Sequence, residues 1–591
     1  MRAWSLVLAA AWLVACPPSA DTDTGDPHTD ETDTDTDSGT DTDTDIGPPT
    51  LDTFALLPPA ETDGVHTATH RVCANCHTAA TGAVALKDAS GRHIGPADLW
   101  PASVMAHASR DPLFRAAVAK EVHDTPDLAV AIEQKCMSCH APAAWADLTL
   151  SDEDGPTLAA LQSPDAIGDL AREGANCVGC HLQRPETQGD PDTFSGHHDY
   201  NDDRVIYGPH VAPFAGPMRN FAGFEPTHSE HMLHSEVCAS CHTLFIDSVD
   251  GGGVATGHTS MEQGPYLEWQ ASAYYPPKAQ PEAAECQTCH MPNTDVDGID
   301  IETRIARNPT GSDFPRTYAR VPVARHVLYG GNTFLLGLVR DHRDLLGSPA
   351  TVDQLDTSIA GTRDFLGRAA TLTPGPIGWA NDSVTVPIVV ENRTGHKLPT
   401  GYPSRRVWLE VEVRDGSGSV VWHLGAVDAL GRLVDEDGTP LPPELDGEQF
   451  YPHRDLVTDP TEVIVWESVM ADADGDPTTT LLRAASYAKD NRLLPRGFEP
   501  LAAYEAQMAP VGTESDSDFS GGVDTVSIRL TPAGEGPWTM TARLRYQAFN
   551  PTHLDGLVSS PTAEGGALGL MLDGRAVPAE IIAETEFALG R

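Results

Sequence analysis

Residues 73–77 read CANCH, and the same Cys-x-x-Cys-His pattern returns as CMSCH at 136–140, CVGCH at 177–181, CASCH at 238–242 and CQTCH at 286–290. We number these motifs 1 to 5. At the Cys and His content of this chain, chance alone would produce about 0.01 copies. Two thiols directly followed by an imidazole form the attachment site of a c-type haem. The sequence therefore predicts five covalently attached haems c, and with them a protein that handles electrons.

Each motif residue has a separate predicted role. The thiols bond the haem, and the His coordinates its iron from the proximal side. Covalent attachment is predicted for Cys73, Cys76, Cys136, Cys139, Cys177, Cys180, Cys238, Cys241, Cys286 and Cys289. Proximal coordination is predicted for His77, His140, His181, His242 and His290.

Two other uses of Cys-x-x-Cys pairs fit the pattern less well. Zinc sites take such pairs two at a time, which would leave one of the five over. Thiol redox centres have no need of the His that follows every pair. Together with Cys16, the motif thiols are all 11 cysteines of the chain, so none is left for a disulfide.

The N-terminus is typical of an exported, lipid-anchored protein. Arg2 precedes an apolar run over 6–14, and Leu13-Val14-Ala15-Cys16 resembles the bacterial lipoprotein signal, in which Cys16 takes the lipid. Residues 1–16 are therefore predicted to be a signal peptide ending in the lipidation Cys. An ordinary secretory signal with a chance Cys is the alternative. Pro17, rather than Asp, favours the outer membrane over the periplasmic face of the inner one.

A strongly acidic segment follows the signal. Residues 20–45 hold an Asp-Thr repeat with eleven acids and no Lys or Arg, which predicts a disordered linker over 17–60. The formal net charge of the whole chain is −48, and most of it lies outside the repeat. This charge argues against nucleic acid or anionic lipid as partners and favours basic redox proteins. The membrane contact is expected through the N-terminal lipid alone.

The predicted fold class is multidomain α+β. All five motifs, and 20 of the 24 His, lie between 66 and 396, so a mostly helical or irregular pentahaem cytochrome domain is predicted over 61–350. Asp111 followed by Pro112 marks one helix start there. A linking helix is predicted over 351–375, from apolar residues at helical spacing.

After residue 376 the apolar period changes from helical to alternating. Val384, Val386, Ile388 and Val390 share one face of a predicted strand, and Val407, Leu409, Val411 and Val413 share one face of another. Alternating strands separated by Gly, Pro and Asp turns predict an antiparallel β-sandwich-like domain over 376–591. At this length the domain is expected to carry long insertions or a second small unit.

Several segments resemble known cytochromes. WPASVMAHASRDPLFRAAV (100–118) resembles the Trp-x6-His segment of the tetrahaem cytochromes that accept electrons from hydroxylamine oxidoreductase. More closely, the chain resembles a large group of bacterial multihaem c-type cytochromes with a C-terminal β domain. That likeness rests on GPYLEWQASAY (264–274), RHVLYGGNTF (325–334), ENRTGHKLPTGYPSRRVWLEV (391–411) and YAKDNRLLPRGF (487–498).

The resemblance implies candidates for the distal ligands, which occupy the sixth position of each iron. His107 matches the His of the Trp-x6-His segment, and His231 or His234 lies where that family places another distal His. His326 opens a segment that supplies a ligand in the larger group. His396 lies on a turn between two predicted strands, from which the β domain could reach a haem.

Three functions remain open at this stage. If every iron has His and a second protein ligand, the chain is an electron carrier in an extracytoplasmic respiratory chain, and this interpretation is favoured. If one iron is open, it is a multihaem oxidoreductase acting on a small nitrogen or sulfur compound. The Cys-x-x-Cys-Lys haem typical of multihaem nitrite reductases does not occur. A surface-binding protein, with the β domain as the binder, is the third.

Two acidic stretches resemble fragments of calcium loops. They are Asp295-x-Asp297-Gly298-x-Asp300 and Asp472-x-Asp474-Gly475-Asp476. Neither has the full twelve-residue pattern, so both are predicted to be polar turns.

Overall fold

A computed structural model describes residues 48–590. The predicted signal peptide, the lipidation residue Cys16 and the Asp-Thr repeat lie outside this range. Fifteen α-helices occur among the described residues, most of them short. They are α1 (His70–His77), α2 (Pro96–Leu99), α3 (Pro112–Asp124), α4 (Ala129–His140), α5 (Pro142–Thr149), α6 (Ala166–Ala171), α7 (Cys177–His181), α8 (Ala215–Ala222), α9 (Pro265–Ala271), α10 (Cys286–His290), α11 (Thr333–Asp341), α12 (Val352–Leu366), α13 (Glu505–Met508), α14 (Pro551–Val558) and α15 (Ala563–Leu572).

Strands dominate only the C-terminal part of this range. They are β1 (Val205–Gly208), β2 (Glu225–His228), β3 (Leu244–Val249), β4 (Ala255–Gln263), β5 (Ala370–Pro374), β6 (Gly378–Ala380), β7 (Ser383–Asn392), β8 (Arg406–Arg414), β9 (Val420–Leu424), β10 (Leu456–Val457), β11 (Val465–Ala471), β12 (Pro477–Thr478), β13 (Ser486–Asp490), β14 (Val523–Leu530), β15 (Thr539–Gln547) and β16 (Glu580–Ala588). The described part of the chain is thus mixed α+β, with helices, long loops and the strands β1 to β4 before residue 366 and mostly strands after it.

Helix α3 begins where the sequence predicts. The Asp111 carboxylate accepts a hydrogen bond from the backbone N–H of Leu113 at 2.8 Å, and Pro112 occupies the first helical position. This cap satisfies a donor that the first turn leaves without an intrahelical partner.

The linking helix is shorter than predicted. Helix α12 starts in a capping box between Thr351 and Gln354 and ends at Leu366. The prediction that it continues to 375 is wrong, because Gly367 ends it and 370–374 form strand β5, which pairs antiparallel with β7. Ala370 and Leu372 face the sheet core, so their spacing was that of a strand.

The strands after residue 370 form two sheets. One has the order β10-β14-β7-β5, with β6 also on β7, and the other has the order β12-β11-β8-β15-β16, with β13 on β11 and β9 on β8. The ladders are antiparallel except for β10 beside β14. The predicted apolar faces of β7 and β8 are fully buried in one core shared by the two sheets.

Strand β8 is buried on its second face as well. The Trp408 indole N–H donates to the Gly425 carbonyl at 2.9 Å, and Glu410 binds Arg545 at 2.5 Å. The connection after β9 therefore covers the outer face of this sheet. This connection is a long insertion in the β region, and it shields one face of the sheet from solvent.

The end of the predicted disordered linker is folded. Residues Leu51–Phe54 form a turn of 3-10 helix, and the Phe54 ring is fully buried beneath the Arg115 guanidinium at 4.9 Å. Arg115 also donates to the carbonyls of Thr53 and Phe54. Phe54 and Leu56 supply buried apolar surface, which the composition of the acidic repeat does not offer.

The helical and strand regions pack against each other. Phe54, Leu113 and Phe334 belong to the same hydrophobic core as the strands of both sheets, and the described residues, 48–590, belong to one compact unit. Between residues 48 and 590, no helix has both the length and the apolar character that a membrane span requires.

Candidate functional site

Helix geometry places the motif side chains together. Motifs 1 and 2 form the C-terminal ends of α1 and α4, and motifs 3 and 5 form the whole of α7 and α10. Motif 4 begins at the last residue of a 3-10 turn, Ser235–Cys238. Residues three and four apart lie on one face of a helix, so both thiols and the imidazole of a motif can reach one ligand.

Four of the motif imidazoles are oriented by backbone carbonyls. Nδ1 of each ring lies 2.6–2.9 Å from a carbonyl oxygen, which makes Nδ1 the donor and leaves Nε2 with its lone pair. The pairs are His77 with Ile305, His140 with Ala108, His181 with Tyr207 and His290 with Tyr329. This is the arrangement that an axial iron ligand needs.

Burial keeps the motif imidazoles neutral. It lowers the pKa of all five rings below the ordinary value of histidine, and that of His242 to about 4. A neutral ring can donate its lone pair to a metal ion at pH 7 without first losing a proton.

Two predicted distal residues lie opposite motif imidazoles. The ring centres of His181 and His326 are 6.4 Å apart with planes inclined by 22°, and those of His290 and His396 are 6.4 Å apart with planes inclined by 23°. Metal–imidazole bonds of about 2.0 Å on both sides of one ion bring two ring centres to roughly this separation. Burial lowers the pKa of His326 to about 4 and also lowers that of His396. Both residues therefore have the placement of a second axial ligand.

The turn that carries His396 is held by a buried ionic network. Lys397 binds Asp490 at 2.6 Å, and Arg492 binds Asp490 at 2.8 Å and Glu268 at 2.9 Å. Glu268, on α9, also accepts from the Lys397 backbone N–H at 3.1 Å. The network thus joins α9 to the β region and fixes the turn next to motif 5.

The structure separates the two alternatives that precede motif 4. Nε2 of His231 is buried and has no hydrogen-bond partner among the described residues, while its Nδ1 lies 2.7 Å from Ser229 Oγ. His234 is 53% exposed and lies 3.5 Å from a carboxylate oxygen of Glu285. Of the two, only His231 presents a buried, unpaired nitrogen.

His107 is placed differently from the other predicted ligands. Its ring is fully buried, with Nδ1 2.8 Å from the Ser103 carbonyl and Nε2 2.8 Å from Ser348 Oγ. Both nitrogens are thus engaged by protein groups, and the structure does not pair this ring with a motif imidazole. Its predicted role as a distal ligand stays a prediction.

Two further histidines lie near the motifs and were not singled out from the sequence. His198 Nε2 is 3.7 Å from Cys241 Sγ, and its buried Nδ1 has no partner among the described residues. His70 begins α1 and binds Glu173 through Nδ1 at 2.9 Å. In the sequence, His70 could have been singled out by its position three residues before Cys73, which places it on the same helical face as that cysteine.

Thiols of different motifs are in contact. Histidines of different motifs also lie near each other: His77 is near His181, and His242 is near His290. The side-chain contacts join Cys73 to Cys177, Cys139 to Cys241, and Cys238 to Cys286. Motif 1 therefore adjoins motif 3, and motif 4 adjoins both motif 2 and motif 5.

A group of proton-holding side chains surrounds motif 2. Burial, followed by the charges of Glu262 and Glu121, raises the pKa of Cys136. Burial, with Glu121 nearby, raises the pKa of Glu262 to about 8, and burial raises that of Glu121 to about 6. Tyr402 lies close to both carboxyls, and burial raises its pKa. At pH 7 the carboxyl of Glu262 is therefore largely protonated and can donate a proton.

The donor set fits covalent haem. Each motif supplies two thiols and a neutral imidazole, and His326 and His396 stand opposite two of those imidazoles. No protein-family model matches the chain, and no curated protein matches it. Among solved structures, the crystal structure of a penta-haem cytochrome c552 from Thermochromatium tepidum is similar, with 16% identity and a TM-score of 0.45 over 89% of this chain and 100% of that one.

Proposed function

We propose that this protein is a pentahaem c-type cytochrome that transfers electrons outside the cytoplasm. The observation that carries the proposal is the position of His326 and His396 opposite two motif histidines. The ring centres of His181 and His326, and those of His290 and His396, are 6.4 Å apart. Two strong axial ligands leave an iron no open position, which suits a carrier. When bound, the haems supply the iron that changes oxidation state.

The protein's own residues tune and position the haems. The ten motif cysteines would hold the macrocycles, and the five motif histidines would be proximal ligands. We assign His326 as distal ligand for motif 3 and His396 for motif 5. His231, with its buried unpaired Nε2, is the third distal candidate. Burial of these sites, and the hydrogen bonds from the motif imidazoles to backbone carbonyls, would tune the haem potentials.

The thiol contacts support a continuous path between the sites. Contacts link motif 1 to motif 3 and motif 4 to motifs 2 and 5, while Cys180 of motif 3 acts electrostatically on Cys238 and Cys241 of motif 4. Electrons would then move along 1–3–4, with motifs 2 and 5 as two branches from motif 4. A branched path offers more than one exit to partners.

We further propose that the protein is tethered through lipid on Cys16, at the outer membrane or the periplasmic face. The acidic repeat would act as the tether, and the negative charge of the whole chain would attract basic redox proteins as donor and acceptor. The lipid on Cys16 is tested by producing the full-length protein in cells fed with labelled fatty acid. Mass spectrometry of the purified protein should then find the label on Cys16.

The axial assignment is tested by His396→Ala in the full-length holoprotein. Pyridine haemochrome should give five haems in both wild type and variant. Low-temperature electron paramagnetic resonance should show one low-spin signal replaced by a high-spin signal in the variant. His258→Ala, on the exposed part of β4, is the matched control and should keep the wild-type spectrum. An unchanged spectrum of His396→Ala would overturn the assignment.

A second candidate function rests on the group around motif 2. Glu262 and Glu121 can hold and release protons beside this motif, as an oxidoreductase acting on a small nitrogen or sulfur compound would require. This function predicts a stoichiometric high-spin signal in the wild-type protein, altered in Glu262→Gln. A wild-type spectrum with only low-spin signals would exclude it.

A further inference from the structure

Four carboxylates converge at an edge of the five-stranded sheet, far along the chain from the haem motifs. Asp455 directly precedes β10, Asp516 and Asp518 lie on the loop before β14, and Asp524 is the second residue of β14. Carboxylate oxygens of Asp516, Asp518 and Asp524 lie within 4.8 Å of one another. The same limit holds for Asp455, Asp516 and a ring nitrogen of His453.

Asp524 is the residue that points to a ligand. Its side chain is fully buried, and Oδ2 accepts from the Trp466 indole N–H at 2.7 Å. Oδ1 is buried and has no hydrogen-bond partner among the described residues. A buried carboxylate oxygen without a partner is strongly unfavourable, so this oxygen requires a proton or a cation.

Burial and the neighbouring carboxylates both oppose negative charge within the group. Burial, together with the neighbouring carboxylates, raises the pKa of Asp524 to about 7 and that of Asp455 to about 7. Hydrogen bonds hold the pKa of Asp516 below its usual range. A divalent cation would relieve this repulsion without requiring the protons.

The hydrogen bonds around His453 show that it positions a ligand and is not one itself. Asn491 accepts from the Glu467 backbone N–H at 3.0 Å and donates to the Val465 carbonyl at 3.0 Å, which fixes the orientation of its amide. Its NH₂ group therefore faces His453 Nδ1, 3.1 Å away, and Nδ1 is an acceptor. The ring proton is then on Nε2, which donates to Asp516 Oδ2 at 2.8 Å.

We propose that Asp455, Asp516, Asp518 and Asp524 bind one calcium ion. The four ligands are all oxygens, which a hard cation prefers, since His453 uses Nε2–H to orient Asp516. Calcium accepts carboxylates from separate loops at irregular angles, whereas magnesium demands a near-octahedral site and keeps most of its water. Asp455 and Asp518 are exposed, so the ion and its remaining water ligands have access from solvent.

This group differs from the two acidic turns that the sequence brings to notice in the buried, unpaired oxygen of Asp524. Asp516 itself stabilises its turn, since Oδ1 accepts from the backbone N–H groups of Asp518 and Phe519 at 2.9 and 3.0 Å. Asp472 Oδ1 accepts from the backbone N–H groups of Asp474 and Asp476, at 2.9 and 3.0 Å. Asp295 Oδ1 accepts in the same way from Asp297 and Ile299. These carboxylates stabilise turns, as predicted, and Asp472 is therefore a matched control for a carboxylate outside the site.

The test is calcium binding by the full-length holoprotein after treatment with EDTA and buffer exchange. Isothermal titration with CaCl₂, and ion counting after equilibrium dialysis, should find one more tightly bound ion in the wild type than in Asp524→Asn. Asp472→Asn should match the wild type. Because the acidic repeat can hold ions loosely, the difference between variants is the readout.

Further variants keep the test decisive. Asp518→Asn, at an exposed ligand, should lower the calcium affinity by about 10-fold or more even if Asp524→Asn folds poorly. The haem spectrum should be the same in all variants, which separates this site from the proposed electron transfer. Equal calcium binding by wild type and both site variants would overturn the proposal, as would preferential binding of MgCl₂.

Discussion

At the scale of single residues, burial decides which side chains stay neutral. His553, on α14, is almost fully buried and lies 3.0 Å from the hydroxyl of Tyr402. Burial, with the charge of Lys120 nearby, lowers the pKa of His553 to about 4. Since burial raises the pKa of Tyr402, its O–H is the donor and His553 Nε2 the acceptor. The ring is thus a neutral hydrogen-bond partner beside the group around motif 2.

This neutrality predicts a pH dependence of stability. The folded pKa of His553 is about 4, below the ordinary value of 6.5, so the unfolded chain takes up the proton first. The contribution to stability is therefore complete above pH 6.5 and is lost as the pH falls towards 4, by up to about 3 kcal/mol. Urea unfolding at pH 7 and pH 4.5 should show a smaller loss for His553→Gln than for wild type. Equal losses would contradict the prediction.

At the scale of elements, one turn between two strands links the β region to a haem motif. The turn between β7 and β8 carries His396, and the ionic network of Lys397, Asp490, Arg492 and Glu268 holds it against α9. Lys397 and Asp490 are fully buried. Charges in that setting are stable only as a complete set, because removing one leaves another without compensation.

Lys397→Met tests how strongly the network holds the turn. The change should lower the free energy of unfolding by about 3 kcal/mol, as expected when a buried pair loses one partner. It should also broaden the low-spin signal assigned to the iron at motif 5. Arg393→Met is the control, since Arg393 and Glu391 form a partly exposed pair at 3.9 Å, worth less than about 1 kcal/mol. Similar losses from the two variants would contradict this role of the network.

At the scale of the whole molecule, local patterns were predictable and convergent sites were not. The motifs, the cap of α3 and the alternating faces of β7 could all be predicted because each is written within a few neighbouring residues. Three of the four Asp residues of the proposed calcium site lie within 516–524, but the fourth, Asp455, is distant in sequence and reaches them through the pairing of β10 with β14. In the same way, His107 and Ser348 are 241 positions apart in the sequence, and only tertiary packing brings them into hydrogen-bond contact.

The charge of the whole chain makes a last prediction about electron transfer. A formal charge of −48 creates a negative potential that concentrates cations and repels anions near the surface. Oxidation of the reduced protein by a cationic complex such as hexaammineruthenium(III) should therefore slow as ionic strength rises. Oxidation by anionic ferricyanide should become faster, because salt screens the repulsion. Stopped-flow measurements from low to high salt test both trends. If the two oxidants respond to salt in the same direction, electrostatic attraction does not select the partner, and the preference for basic redox proteins fails.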